Sequence, residues 1–175
     1  SKPKPKIVEV DAVEYETLTA PLAEENKAHV LFAPNEGPQT EFLSATEREV
    51  LYGGAAGGGK SYAMLVDPLR YCGNSQFNGL LLRKSTEELR ELIWKSQELY
   101  PSVYPGAKWK ERQLTWQFPS GARLWMSYLD RDEDVLRYQG QAFSWIGLDE
   151  LTQWNSPFSW DYLRSRLRTV SSDLP

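Results

Sequence analysis

The sequence predicts an α/β protein built on a mostly parallel sheet flanked by helices, with an antiparallel β-hairpin inserted. Three observations predict it. Short apolar runs of strand character (Val50-Leu51-Tyr52, residues 77–83 and residues 143–148) alternate with helix-capable stretches, the pattern of βα units. A glycine-rich loop joins the first run to the first helical stretch. Between residues 108 and 128 aromatic side chains alternate with polar ones around Pro119-Ser120-Gly121, which reads as a hairpin.

Bulk composition narrows the function classes. The 175 residues suit one domain with a real core, and 41% hydrophobic with 25% charged residues is a globular balance. A net charge of −4 argues against a protein that coats nucleic acid, while leaving room for a local basic patch. The lone Cys72 permits no internal disulfide and fits a reducing compartment. His29 is the only histidine and has no cysteine neighbours, so a histidine-based metal site is not expected. No apolar run approaches membrane-spanning length and no secretory leader is visible, which points to a cytoplasmic protein.

Residues 1–35 form a tail and lead-in, opening on the basic, proline-broken Ser1-Lys2-Pro3-Lys4-Pro5-Lys6, with weak helical promise over 21–32. Residues 36–175 form the main domain. Gln39 follows Gly37-Pro38; an amide both donates and accepts, so on chemistry alone Gln39 suits an adenine edge no better than a turn. Ser44 or Thr46 can cap a short helical turn over Glu47, Arg48 and Glu49.

The chain is organised around Gly54-Ala55-Ala56-Gly57-Gly58-Gly59-Lys60-Ser61, with the spacing G-x-x-x-x-G-K-S. Glycines let backbone N–H groups turn inward and approach a polyphosphate without a Cβ in the way. Lys60 supplies a mobile charge for the β- and γ-phosphates, and the Ser61 hydroxyl suits Mg²⁺. A flexible linker would have polar flanks; here an apolar run enters and Tyr62-Ala63-Met64-Leu65-Val66 leaves, so nucleotide binding is expected.

After the loop a helix is expected over 60–72, kinked at Pro68, and then a buried strand over 77–83. Ser85-Thr86-Glu87-Glu88 is a capping box, opening a helix with Leu89, Leu92, Ile93, Ser96 and Leu99 on one face and a stop at Pro101. In the hairpin Leu114, Trp116 and Phe118 share a face; Lys108, Lys110, Arg112 and Arg123 suit phosphates or a solvated surface about equally. An acidic run, residues 130–134, precedes Arg137. The strand over 143–148 then ends in Asp149-Glu150. Behind a phosphate-binding loop this is the second half of an ATPase site: Asp149 for Mg²⁺, Glu150 to polarise the attacking water. Ser156-Pro157 starts a last helix with Trp160, Leu163 and Leu167 as its stripe and Arg164, Arg166 and Arg168 near its end, and residues 169–175 read as loop.

Taken in order, Gly37-Pro38-Gln39 with Phe42, residues 50–61, residues 80–92, residues 116–121, Tyr138-Gln139-Gly140, residues 146–150 and residues 162–168 resemble the N-terminal ATPase domain of tailed-phage large terminase subunits, motors that package viral DNA. The resemblance implies a P-loop NTPase core of the ASCE type, with ATP and Mg²⁺ as cofactors. It implies that Gln39 reads adenine and that Gly54, Ala55, Ala56, Gly57, Gly58, Gly59, Lys60, Ser61 and Tyr62 contact the nucleotide. Ser61 and Asp149 then hold the metal, Lys60 and Glu150 serve catalysis, and Arg137 is an arginine finger entering a neighbouring subunit's site in a ring. Arg137 as a surface partner for Asp132 to Asp134 weighs equally on the residues alone. Double-stranded DNA, a homo-oligomeric ring, the procapsid portal and the small terminase subunit are the implied partners, in the host cytoplasm.

Two departures bear on this. Many relatives carry an arginine inside the loop where Ala55 and Ala56 stand, which shifts that role toward Arg137 or another cation in trans. The family core also continues into a further strand and the whole protein adds a nuclease domain, so this chain is expected to be an incomplete core that binds nucleotide and hydrolyses it poorly alone. Two other functions fit the same motifs: a helicase- or recombinase-like ATPase, and a non-catalytic module in which ATP orders a ring.

Overall fold

Strand β3 (Asn78–Arg83) is the axis of the molecule: it pairs in parallel with β6 (Arg123–Tyr128) on one side and with β7 (Trp145–Leu148) on the other. The computed structural model describes residues 9–10, 29–30, 32–52, 59–154, 156–168 and 174–175. Beyond β6 the sheet continues with β5 (Thr115–Gln117) and β4 (Lys108–Lys110), both antiparallel to their neighbours, giving the order β4-β5-β6-β3-β7. A separate antiparallel pair, β1 (Glu9–Val10) and β2 (His29–Val30), lies in the lead-in. The sheet is therefore mixed rather than mostly parallel. The expected hairpin is present, but its strands join the main ladder as full members: Thr115, Trp116 and Gln117 stand opposite Trp125, Leu124 and Arg123.

Alternation along β3 divides the core. Leu80 and Leu82 face one side, where they meet Leu129, Val135, Phe143 and Leu163; Leu81 faces the other, with Leu65, Leu92, Trp116 and Met126. On the second side, α3 (Thr86–Val103) lays Leu89, Leu92, Ile93, Ser96 and Tyr100 against the sheet. Its N-terminus carries half of the expected capping box: the Ser85 hydroxyl accepts the Glu88 N–H at 3.3 Å, while the Glu88 carboxylate takes the Gln153 amide at 3.0 Å instead of reaching back to Ser85. Pro101 does not stop this helix, which runs on to Val103. A proline in the last turn removes a single backbone donor, and the Tyr104 N–H still closes onto the Tyr100 carbonyl at 2.9 Å. The aromatic alternation of the hairpin is explained here. Trp116 sits buried among Tyr100, Phe118 and Trp109, and its indole N–H donates to the Ser96 hydroxyl at 2.9 Å.

Helix α2 (Lys60–Val66) passes directly into a 3₁₀ turn, Asp67–Tyr71, where Pro68 stands. The expected kink is thus a change of helix type. Cys72 is buried against it, and burial pushes its thiol well above the ordinary value, so it is a packing group. Upstream, α1 (Pro38–Ser44) starts behind Gly37 and buries Gln39 and Leu43. The last helix, α4 (Phe158–Arg164), follows Pro157 and buries Ser159 and Leu163. After it the chain passes Phe143 in parallel: the Phe143 N–H donates to the Arg166 carbonyl and the Arg168 N–H to the Phe143 carbonyl.

Two further local expectations are corrected. Val50-Leu51-Tyr52 is not a strand; Val50 and Leu51 are exposed, at 42% and 78%, while Tyr52 stacks on Phe42 with ring centroids 5.2 Å apart. An apolar run becomes a strand only where it joins a ladder, and among the described residues this run belongs to neither sheet. Residues 47–49 form bends rather than a helical turn, the Glu47 side chain accepting the Thr46 N–H. The basic tail and most of the weak helical stretch at 21–32 lie outside the described residues, as do residues 169–173.

Candidate active site

Register and alternation bring the site together. Arg83 ends β3 with the same parity as Leu81, so it faces the side occupied by α2. Across the parallel ladder Leu82 stands opposite Leu148, and the Asp149 N–H carries the pairing one step further by donating to the Leu82 carbonyl at 2.9 Å. Trp145, Gly147 and Asp149 therefore share the α2 face. Gly147 lets the helix close on the strand: a Cβ there would lie 2.5 Å from Met64 Cε and 2.5 Å from the Trp145 ring. With α2 drawn in, Ser61 in its first turn reaches the strand tips.

Three side chains meet there. One guanidinium nitrogen of Arg83, Nη2, donates to Ser61 Oγ at 2.8 Å and lies 2.6 Å from Asp149 Oδ2. Both partners of the ion pair are buried, with side chains 6% and 3% exposed. Asp149 Oδ1 accepts the Glu150 N–H at 2.9 Å. Glu150 stands in the left-handed region (φ 56°, ψ 46°), a backbone state costing a side-chain-bearing residue about 1–3 kcal/mol. It ends the strand abruptly and turns the chain into the 3₁₀ segment Leu151–Gln153. That segment is tied to the start of α3 by Gln153, whose amide donates to Glu88 Oε1 at 3.0 Å.

Of the phosphate-loop residues, Gly54, Ala55, Ala56, Gly57 and Gly58 lie outside the described residues, and Gly59, Lys60, Ser61 and Tyr62 lie within them. Gly59 sits at φ 71°, a left-handed N-cap for α2. Gln39 is placed against this end of the loop rather than in a turn. It is 3% exposed, its amide donates to the Gly59 carbonyl at 2.8 Å, and its Oε1 accepts the Asn35 N–H at 2.6 Å. Tyr62 stacks on Phe32, with Lys95 over its ring.

Arg137 belongs to a different neighbourhood, the 3₁₀ segment Asp132–Tyr138. Its Nε donates to the Asp134 carbonyl, its guanidinium lies 3.7 Å from the Asp134 carboxylate, and it rests beside the rings of Tyr128 and Tyr138. A groove of about 240 Å³ opens beside it, lined in part by Leu114, Trp125, Met126 and Gln141. The hairpin cations Lys108, Lys110, Arg112 and Arg123 are all exposed, and cross-strand register puts Lys108 and Arg123 on either side of Gln117 on one sheet face.

A hydroxyl and a carboxylate converging on one cationic nitrogen form an oxygen donor pair of the kind hard divalent cations take. Among the described residues no group of three His, Cys, Asp or Glu side chains is assembled for a metal. Mg²⁺ in nucleotide sites uses one or two protein oxygens and draws the rest from phosphates and water, so the donor set present fits that ion. Arg83 was not anticipated from the sequence. The sequence shows only a charged residue closing a run of leucines; the side it faces comes from the strand's register.

Comparison with known proteins adds one observation. Residues 51–170 match the family described as terminase large subunit, T4likevirus-type, N-terminal. The chain belongs to this family. The terminase match spans Ser61, Arg83, Arg137, Asp149 and Glu150 and begins after Gln39. No curated protein and no solved structure matches the chain significantly. As a large-subunit N-terminal domain of phage terminases, the chain takes its place in the DNA-packaging motor, whose general partners are the portal and the small subunit. No helix among the described residues is long and apolar enough to cross a membrane.

Proposed function

We propose that this terminase domain binds ATP with Mg²⁺ and hydrolyses it, and that the turnover drives double-stranded DNA into a procapsid. The observation that supports this reading best is the meeting of Ser61 and Asp149 on a single guanidinium nitrogen. It brings the residue after the loop's lysine and the acid at the strand tip, far apart in sequence, into one place. Ser61 and Asp149 are the residues that would hold Mg²⁺, which when bound supplies neutralising charge to the β- and γ-phosphates.

The remaining roles follow from position. Lys60 opens α2 one residue before Ser61 and brings its ammonium to the phosphates. Glu150, turned off the strand by its left-handed backbone, is half-buried beside Asp149 and polarises the attacking water. Gln39, fixed to the Gly59 carbonyl, sets the end of the loop and presents its amide to adenine. Arg137, exposed and held among the described residues by Asp134 and two tyrosine rings, reaches the site of an adjoining subunit in a ring. The exposed cations of β4 and β6 meet DNA phosphates without reading sequence, so DNA binding weakens steeply with salt.

Glu150→Gln tests the assignment. ATP turnover should fall by about 10²–10⁴-fold while equilibrium ATP binding stays within a few fold of wild type. Equal loss of binding and turnover would remove Glu150 from the chemistry. Micromolar ATP binding with zero turnover in wild type, with DNA present, would select the ring-assembly reading instead.

A further inference from the structure

Arg83 has no part in the roles above, yet both residues assigned to the cation touch it. Its side chain is almost fully buried, and the fork of donors is only partly used. Nη2 serves both Ser61 Oγ and Asp149 Oδ2; among the described residues Nε is buried with no hydrogen-bond partner, and Asp149 Oδ2 has the ion pair but no hydrogen bond. A buried N–H without an acceptor is costly, and a guanidinium fork matches phosphate oxygens in geometry and charge. Nη2 occupies the oxygen pair that would hold a divalent cation if Ser61 and Asp149 are its ligands. A monovalent guanidinium and a divalent ion cannot share it.

We propose that Arg83 is an exchangeable latch. Without nucleotide it neutralises buried Asp149 and ties Ser61 to the strand tips. With a divalent cation and a nucleoside triphosphate present, Ser61 and Asp149 would hold the cation, and the guanidinium, released from both oxygens, turns on the same strand end to the terminal phosphate. Arg83 thereby reports whether a third phosphate is present, in cis. This rests on the ATPase reading of the site.

The test uses the 175-residue chain and three variants: Arg83→Gln, Arg83→Lys and the double variant Arg83→Gln/Asp149→Asn. Mn²⁺ is titrated without nucleotide, with free ion followed by electron paramagnetic resonance, and circular dichroism melts check folding. Wild type should bind Mn²⁺ weakly, Arg83→Gln about tenfold tighter or more, and the double variant should lose the gain. In a second arm, ADP and a non-hydrolysable β,γ-imido ATP are titrated with Mg²⁺. Wild type should prefer the triphosphate, and Arg83→Lys should lose that preference, since one ammonium cannot fork across two phosphate oxygens. Should Arg83→Gln not fold, Arg83→Lys carries the test alone through that second arm. Unchanged Mn²⁺ affinity in folded Arg83→Gln, or an unchanged triphosphate preference in Arg83→Lys, overturns the latch. Wild type binding no nucleotide at all would instead overturn the ATPase reading, a separate result.

Discussion

Gly59 carries two demands at once. Its φ of 71° is one that a side chain resists, and a Cβ there would lie 2.5 Å from the Gln39 amide nitrogen. Gly59→Ala should therefore destabilise the chain by about 1–2 kcal/mol in urea denaturation from the left-handed backbone, with a further loss as Gln39 is pushed from the Gly59 carbonyl. Adding Gln39→Ala should recover only the second part. Full recovery in the double variant would mean that the backbone state at Gly59 costs nothing. That a glycine is wanted before Lys60 was legible in the sequence from the loop's spacing; its left-handed cap of α2 and its closeness to Gln39 were not. Gln39 was half legible: an amide's two-sided hydrogen bonding announces a partner without saying which one. Arg83 was not legible, because a lone arginine after three leucines acquires meaning only from the parity of β3 and the register that sets it beside Asp149.

At the scale of elements, α2 with its 3₁₀ extension is fastened along β7 at both ends. Ser61 reaches Asp149 through Arg83 at one end; at the other, the Trp145 indole N–H donates to Asp67 Oδ2 at 2.8 Å. Met64 fills the middle over Gly147. The Asp67 end sets a pH dependence. Burial raises the Asp67 carboxyl above its ordinary value, against the lowering pull of Arg70 and of the Trp145 and Arg70 hydrogen bonds. A raised carboxyl pKa means that the folded chain holds this proton more tightly than the unfolded one. The contribution is favourable below the unfolded value and is lost as pH rises through the folded one. Asp67→Asn keeps an acceptor for Trp145 and removes the titration. Its melting temperature relative to wild type should rise as pH goes from about 3.8 toward neutral. A relative melting temperature that falls over that range would show that the Arg70 pairing outweighs burial. The 3₁₀ geometry around Pro68 explains why the sequence showed a break but not its kind: a missing N–H is visible in a string of residues, and the replacement hydrogen bonding is not.

Across the whole molecule, one mixed sheet separates two apolar cores, and the candidate site lies where β3 and β7 end against the start of α2. Alternation of strand and helix was readable because buried strands and amphipathic helices differ in period. Strand direction was not, since a hairpin shows its turn but not the edge it joins, and this hairpin joined β3 through β6. The apolar Val50-Leu51-Tyr52 misled for a related reason, as strand propensity does not supply a neighbour. The proposed function requires that Ser61 and Asp149 act on one magnesium–nucleotide complex. Equilibrium titration of ATP with and without Mg²⁺ into wild type, Ser61→Ala and Asp149→Asn tests this directly. Mg²⁺ should tighten ATP binding in wild type, and both variants should lose that tightening while their Mg²⁺-free binding stays near wild type. Tightening by Mg²⁺ that survives in either variant would contradict the account.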